Sequence, residues 1–400
     1  MNASTHARIF LSALVLFAMS VGIANSGAQS APAPGVTEKE IVIGSCAALE
    51  GPSSFLGRQT VTGAQAYFNL TNDQGGVNSR KLRLVSFDDS YDPAKTQACW
   101  ANLMAQKVFA LGFFVGTPTA AKYVPLAESN QIPLIGLFTG AQTLYTPFRK
   151  WVINVRASYA DETRAQIDGL WNSLHFHKIG VIYPDDAFGA TVLDGVQAAL
   201  AAHGAAPAEI ASYTHQTTHV GGAVDKVRAA NPDAVVLVGP YNTVAPILKT
   251  AHGRGWKPLF LTVSFVGTDE LIQQAGADAD GVVVTQVVPP YYLTTLKTVA
   301  LYRRTLQQYA PDARPNFVSF EGFVDAMVMV DGLSKAGKNL TREGLIRAIE
   351  TLHDKDMGLG PELKLDYSAK NHKGFVHVIP TIVRGGTAVP FTDWTIIAQK

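Results

Sequence analysis

Three threonines at the mouths of two neighbouring turns are the residues of this chain best placed to do chemistry. Thr117 and Thr119 lie in Gly116-Thr117-Pro118-Thr119, and Thr139 opens Thr139-Gly140-Ala141. Hydroxyls and free backbone N–H groups donate hydrogen bonds, and a helix that starts at the first turn adds the positive end of its dipole. Such a set holds a carboxylate or a similar anionic head. Thr117 and Thr119 also suit the capping of that helix, and capping and ligand contact can coexist.

Nothing comparable points to catalysis. The chain has no Gly-x4-Gly-Lys-Ser/Thr loop, no complete Gly-x-Gly-x-x-Gly after the first strand, no Gly-x-Ser-x-Gly elbow and no His-Glu-x-x-His. We therefore expect a binding protein, not an enzyme, with no cofactor and no metal. Asp88, Asp89 and Asp92, and likewise Asp185 and Asp186, read as turns in which carboxylates accept from nearby N–H groups. His175 with His177, and His215 with His219, lack an acidic helix motif and read as surface residues. Glu321, at the start of a helix, reads as a partner of the helix dipole.

The elements that must position the threonines follow from the pattern. Apolar runs at 108–115 and 132–137 read as strands that flank a helix at about 120–130. Before them come a strand at 40–47, a helix at about 58–72, a strand at 81–88 and a helix begun by Pro93. Short apolar strands alternating with helices imply a parallel sheet covered on both faces, and ligands bind beyond the carboxyl ends of its strands. Both Thr/Gly turns lie there.

After Trp151 to Asn154 the pattern restarts. KIGVIYPDDAFG (178–189) repeats the strand–turn–Gly–helix unit of IVIGSCAALEGPSSFLG (41–57), so the chain holds two similar α/β lobes. The end, from Leu363 to Ile396, reads as short antiparallel strands.

Composition bounds the partners. The net charge is +1 and no basic block occurs, which excludes nucleic acid as an expected partner. Residues 1–30 read as a secretory signal peptide: His6 and Arg8, an apolar stretch from Ile9 to Ile23, then small residues at two candidate cleavage sites. After export Cys46 and Cys99 would meet an oxidising compartment, where a disulfide and two buried free thiols both fit.

Over nearly the whole mature chain the sequence resembles the periplasmic solute-binding proteins of the branched-chain amino acid (Leu/Ile/Val-binding) type, components of ABC importers. The likeness is carried by the order and spacing of Ile43-Gly44, Glu50-Gly51-Pro52, Gly57, Asn72 to Gly76, Asp88-Asp89, Asp92-Pro93, Gly116 to Thr119, Asp186 to Gly189 and Ser264 to Gly267. It implies the type I periplasmic binding protein fold, two Rossmann-like α/β lobes joined by three hinge crossovers. These would lie near Asn154 to Arg156, near Val287 to Pro290, and between Gly358 and Leu365. The lobes would be 38–154 plus 289–357, and 155–288 plus 358–400.

The resemblance also implies a role: periplasmic capture of a small solute by lobe closure and its delivery to an ABC permease; nothing in the sequence suggests more than a monomer. The alternative is a soluble ligand sensor acting on a membrane receptor or regulator. In amino-acid binders of the family the turns matching Gly116, Thr117, Thr119 and Thr139, Gly140, Ala141 hold the ligand carboxylate, and an aromatic matching Tyr241 faces it. The position that supplies a carboxylate for the ligand ammonium falls on Ser264. A hydroxyl supplies no charge, which leaves room for an aromatic or aliphatic acid without an amine. Phe55, Phe188, Phe265 and Phe320 would suit an apolar ligand body.

Overall fold

The structure is a computed structural model that describes residues 33–397. The expected signal peptide, residues 1–30, lies outside them. Among the described residues no helix is long and apolar enough to cross a membrane.

The first lobe alternates as its apolar runs dictate: β1 (Glu40–Ala47), α1 (Ser54–Asp73), β2 (Lys81–Asp88), α2 (Thr96–Ala105), β3 (Ala110–Gly112), α3 (Thr117–Ser129), β4 (Leu134–Ile135) and β5 (Val152–Ile153). The strands form one parallel sheet in the order β2-β1-β3-β4-β5. The run 108–115 forms a shorter strand than its apolar pattern predicts. Phe113 takes a left-handed φ of 64° that ends β3, and pairing resumes only at the Val115–Phe138 bridge. That break turns the chain into the Gly116 corner.

The second lobe follows with α4 (Tyr159–Asp168), β6 (Ile179–Pro184), α5 (Ala187–Ala202), β7 (Glu209–Tyr213), α6 (Gly221–Ala229), β8 (Ala234–Leu237), α7 (Tyr241–Gly253), β9 (Leu259–Val263), α8 (Thr268–Ala275) and β10 (Val283–Gln286). The chain then returns to the first lobe with α9 (Lys297–Tyr309), α10 (Phe317–Ala336), α11 (Arg342–Ile349) and a small hairpin of β11 (Lys355–Asp356) and β12 (Lys364–Leu365). It ends in the second lobe with β13 (Ile379–Arg384) and β14 (Thr387–Pro390), an antiparallel pair that extends the second sheet to β14-β13-β10-β9-β8-β6-β7.

Packing explains why α10 dominates the first lobe. Its apolar residues Phe320, Phe323, Val324 and Val328 share one core with Ile41, Ile43, Phe68 and Tyr302. Gly63 of α1 lies against the Ser319 carbonyl and Gly322 of α10 against the Thr60 carbonyl, where any Cβ would collide. The two helices therefore cross at backbone distance. Cys46 and Cys99 form a disulfide with Cα atoms 6.2 Å apart, tying the end of β1 to α2, so the bonded state is the one realised.

Residues 358–365, expected as the third crossover, instead pack into the first lobe. Leu359, Leu363, Leu365, Tyr367 and Phe375 are all buried in its core, and Lys373 pairs alongside Asn154. The chain changes lobes further on, where Val378 packs with Ala157 and Val287 of the other two crossovers. Trp394–Ile397, expected as strand, forms a short 3-10 turn.

Candidate functional site

The two predicted turns come together. The Thr117 and Thr139 hydroxyls are 2.7 Å apart and fully buried, with the Ala141 N–H donating weakly to Thr139 at 3.4 Å. Gly116 caps α3 with φ 100°, and its missing side chain makes room for the Tyr91 ring. Gly140 accepts from the Tyr159 N–H at 2.8 Å, which brings α4 against this turn. Neither threonine caps α3, which has no side-chain cap; the Thr119 hydroxyl instead donates back to the carbonyls of Val115 (2.6 Å) and Gly116 (3.1 Å) and so fixes the turn.

Opposite stands an ionic cluster that motif reading missed. Ser158 and Asp161 form a capping box that starts α4 directly after the first crossover, and Tyr159, Glu162 and Gln166 fall on its one buried face. Arg156, in the crossover itself and 2% exposed, binds both lobes. Its Nη1 donates to Glu321 of α10 at 3.1 Å and its Nη2 to Glu162 at 3.0 Å and to the Ser264 hydroxyl.

Ser264 in turn donates to Glu162, from its hydroxyl at 2.9 Å and its N–H at 2.7 Å, while the Thr285 hydroxyl donates to the same carboxylate at 2.8 Å. A carboxylate therefore lies against position 264 after all, supplied from residue 162. Burial pushes the Glu162 carboxyl up against the pull of Arg156, and pushes Glu321 up to about 7. Burial likewise holds Asp325, one turn further along α10, well above the usual carboxylate range, and Glu321 adds to it.

Glu321 is thus an ion-pair partner of Arg156, not a dipole partner, since it lies beyond the first turn of α10 and has a charged group to meet. The sequence does carry a trace of this cluster: Glu321 and Asp325 stand four apart in the apolar run FVSFEGFVDAMVMV, on one helix face.

The aromatics divide between floor and rim. Phe265 sits between Phe138 (5.5 Å between centroids), Phe188 (4.6 Å) and Tyr91 (5.7 Å), all buried. Phe188 also packs on Tyr159 at 5.2 Å, and the Arg156 guanidinium lies 5.3 Å from the Phe138 ring and 5.5 Å from the Tyr159 ring. Phe320 is not among them: it lies in the first-lobe core against Tyr302.

Phe55 and Tyr241 meet edge to face at the rim, where Tyr241 Oη accepts from the Phe55 N–H (3.1 Å) and donates to the Pro52 carbonyl (2.8 Å). Beside Phe55 a pocket of about 420 Å³ opens between α1 and α8. His215, read as a surface residue, also joins the lobes, because its ring meets Asp186 on its own side and the Tyr91 carbonyl (3.2 Å) across the cleft. The Asp turns form as read: Asp88 accepts from the N–H groups of Leu49, Glu50 and Ser90.

Buried polar atoms at this junction without a hydrogen-bond partner in the protein include the donors Arg156 Nε and the hydroxyls of Tyr91 and Tyr159, and the acceptors Gln166 Oε1 and Asp325 Oδ2. Together with the Thr117–Thr139 pair they place both donors and acceptors at the meeting point of the lobes.

The chain has relatives among known proteins. An amino acid binding protein of Pseudomonas aeruginosa is 25% identical over 267 residues, 65% of this chain and 70% of that protein. The Leu/Ile/Val-binding protein of Escherichia coli K12 is 23% identical over 253 residues, 62% of this chain and 68% of that protein. The crystal structure of a possible leucine/isoleucine/valine-binding protein from Rhodopirellula baltica SH 1 superposes with a TM-score of 0.84 at 30% identity, covering 92% of this chain and 99% of that one. The family model for periplasmic binding proteins matches residues 40–379. With the first sheet, the parallel strands of the second and the junction between them inside that span, the chain belongs to the periplasmic binding protein family, whose members hold a solute and do not transform it.

Proposed function

We propose that this chain is an exported, monomeric substrate-binding protein of the periplasm. It captures a small carboxylate-bearing solute by closing its lobes and presents it to an ABC importer. The observation that carries this reading is the set of donors without protein partners buried between the lobes. A carboxylate, with up to four acceptor positions, satisfies several such donors at once.

In this reading Gly116, Thr117, Thr139, Gly140 and Ala141 hold the carboxylate, with Thr119 fixing the turn. Phe188 and Phe265 enclose the apolar body, Ser264 orients the charged wall, and Phe55 with Tyr241 close the rim. The first lobe would comprise 38–154 plus 289 to about 375, and the second the rest. Closure is favoured because the ligand bridges both walls. The amino-acid binding named for two relatives supports the carboxylate.

A thermal-shift screen of the mature protein against amino acids, aromatic acids and short aliphatic acids tests the proposal. A ligand at a hundred times its dissociation constant should add about 2.7 kcal/mol of stability. A screen in which no compound moves the melting temperature or the scattering radius overturns it.

A further inference from the structure

Beyond Ser264 the second lobe meets the first again, at a corner outside the ion network. The turn from Gly267 to Asp269, which opens α8, sits against α1 and the start of α10. Gly267 takes a left-handed φ of 74°, and a Cβ there would stand 2.7 Å from the Leu56 side chain of α1. A glycine lets the lobes come this close.

Asp269 completes the contact with charge. One of its oxygens accepts from the Tyr291 hydroxyl at 2.7 Å, and the other accepts from the Phe317 N–H at 3.0 Å. Phe317 is the first residue of α10, so its N–H is one of the donors that a helix leaves unpaired at its start. The N-cap side chain of Asn316 does not reach it, being bonded to the Ser319 N–H instead. A carboxylate from the other lobe fills the vacancy and lies at the positive end of a 20-residue helix. Tyr291 stands just past the second crossover. Three stretches of chain therefore converge on this one side chain.

Beyond Gly267 apolar packing gives way to the pocket of about 420 Å³ beside Phe55, with Gln59 on the side of α1 and Gln273 on the side of α8. On that side the carboxylate and its two donors hold the lobes together.

We infer, resting on the lobe-closure reading above, that Asp269 is a positioning residue for solute capture: a latch that forms as the lobes close and holds them closed. Opening withdraws the carboxylate from the start of α10 and exchanges both bonds for bonds to water. The solute is bridged only in the closed form, so the latch raises apparent affinity by raising the population of that form, without touching the solute.

The test reads the lobes in the mature protein without solute, so it does not depend on which compound is bound. In small-angle scattering Asp269→Ala should show a larger radius than the parent, its closed-to-open ratio lower by about tenfold. Tyr291→Phe removes one of the two donors and leaves the other, so its radius should rise by less. Far-ultraviolet circular dichroism should match the parent in both variants, because each lobe keeps its own sheet and helices.

Radii equal to the parent in both variants overturn the latch, whether all three proteins are open or all three closed. A larger radius with lost helical signal in Asp269→Ala would be unfolding, and Tyr291→Phe then decides: no change in its radius overturns the latch. Silence of the solute screen overturns the proposed function but not the latch, which stands or falls on the solute-free radii.

Discussion

The wall that the first lobe's two turns bring to the cleft is neutral, and the wall that faces it, drawn from both lobes, is ionic. Thr117, Thr139 and the Gly116 and Gly140 backbones make the first, and each is fixed by bonds to residues within one or two elements of it. Arg156, Glu162, Ser264, Thr285 and Glu321 make the second, drawn from a crossover, two helices and two strand ends. A neutral wall tolerates the opening of the lobes, because its hydroxyls are satisfied by water. A buried ion network does not, because each charge depends on its partners for solvation. The comparison predicts that damage to the second wall destabilises the protein, whereas damage to the first weakens ligand binding.

The sharpest way to break that comparison is Glu162→Ala. It removes the acceptor for four donors and leaves Arg156 with Glu321 as its one carboxylate partner, so unfolding in denaturant should show a loss of about 3–5 kcal/mol. Thr117→Val, buried to a similar degree, should cost only about 1 kcal/mol in the same experiment. Equal losses would show that the walls do not differ in kind.

The ionic wall should also carry a pH signature. Burial raises the folded-state Glu321 carboxyl from 4.5 to about 7. A group raised in this way contributes its full stability below about pH 4.5 and loses it as the pH climbs through 7, since the unfolded chain then sheds its proton more readily. The loss is on the order of 2–3 kcal/mol between pH 5 and pH 8. Glu321→Gln should flatten that slope, and an identical slope in parent and variant would place the titration elsewhere. Asp89, pushed up to about 6 by its own burial, contributes in the same direction in both proteins and cancels in the difference.

Damage to the neutral wall should be read in binding. Thr139→Val should weaken a carboxylate ligand by roughly 1–3 kcal/mol through a lost hydrogen bond to charge, while the ligand-free protein loses only about 1 kcal/mol of stability, as in Thr117→Val, because both break the same bond. Calorimetry on parent and variant measures it, and unchanged affinity would move the carboxylate away from this turn.

The same contrast explains what could be read from the residues. Thr117 and Thr139 follow adjacent parallel strands, so their meeting at 2.7 Å follows from strand order alone. Lobe duplication and β1, β2 and the strands of the second sheet were legible for a similar reason: apolar period and Gly-marked turns are local. The ionic wall is not local. Arg156 reaches Ser264 across 108 positions and Glu321 across 165, and an isolated Arg or Glu carries no mark of burial. The third crossover was misplaced because Leu359, Leu363 and Leu365 are as apolar in a linker as in a core, and only packing shows which sheet they cover. His215 was missed likewise, since its partner Tyr91 lies 124 positions away in the other lobe.

That histidine offers the finest cut between the walls, because it spans them without joining the ion network. Its ring faces two acceptors, the Asp186 carboxylate within its own lobe and the Tyr91 carbonyl across the cleft, with Asp92 nearby and Gln216 donating to the same Tyr91 carbonyl at 3.0 Å. Only the imidazolium donates from both nitrogens, so the arrangement asks for the charged form. Burial works against that charge, but the hydrogen bond and charge of Asp186 win and raise the pKa above the ordinary 6.5. The closing contribution is therefore complete below about pH 6.5 and fades as pH rises through the folded-state value. His215→Gln should weaken binding of a carboxylate probe by about 1 kcal/mol at pH 6 and by less at pH 8, where the parent ring has lost one of its two donors. Calorimetry at the two pH values separates this from the Glu321 effect, because His215 acts on closure and Glu321 on folding. An equal loss at both pH values would mean that the ring works as a neutral spacer and that closure rests on the ligand and the other links between the lobes, Tyr241 and Gln216 among them.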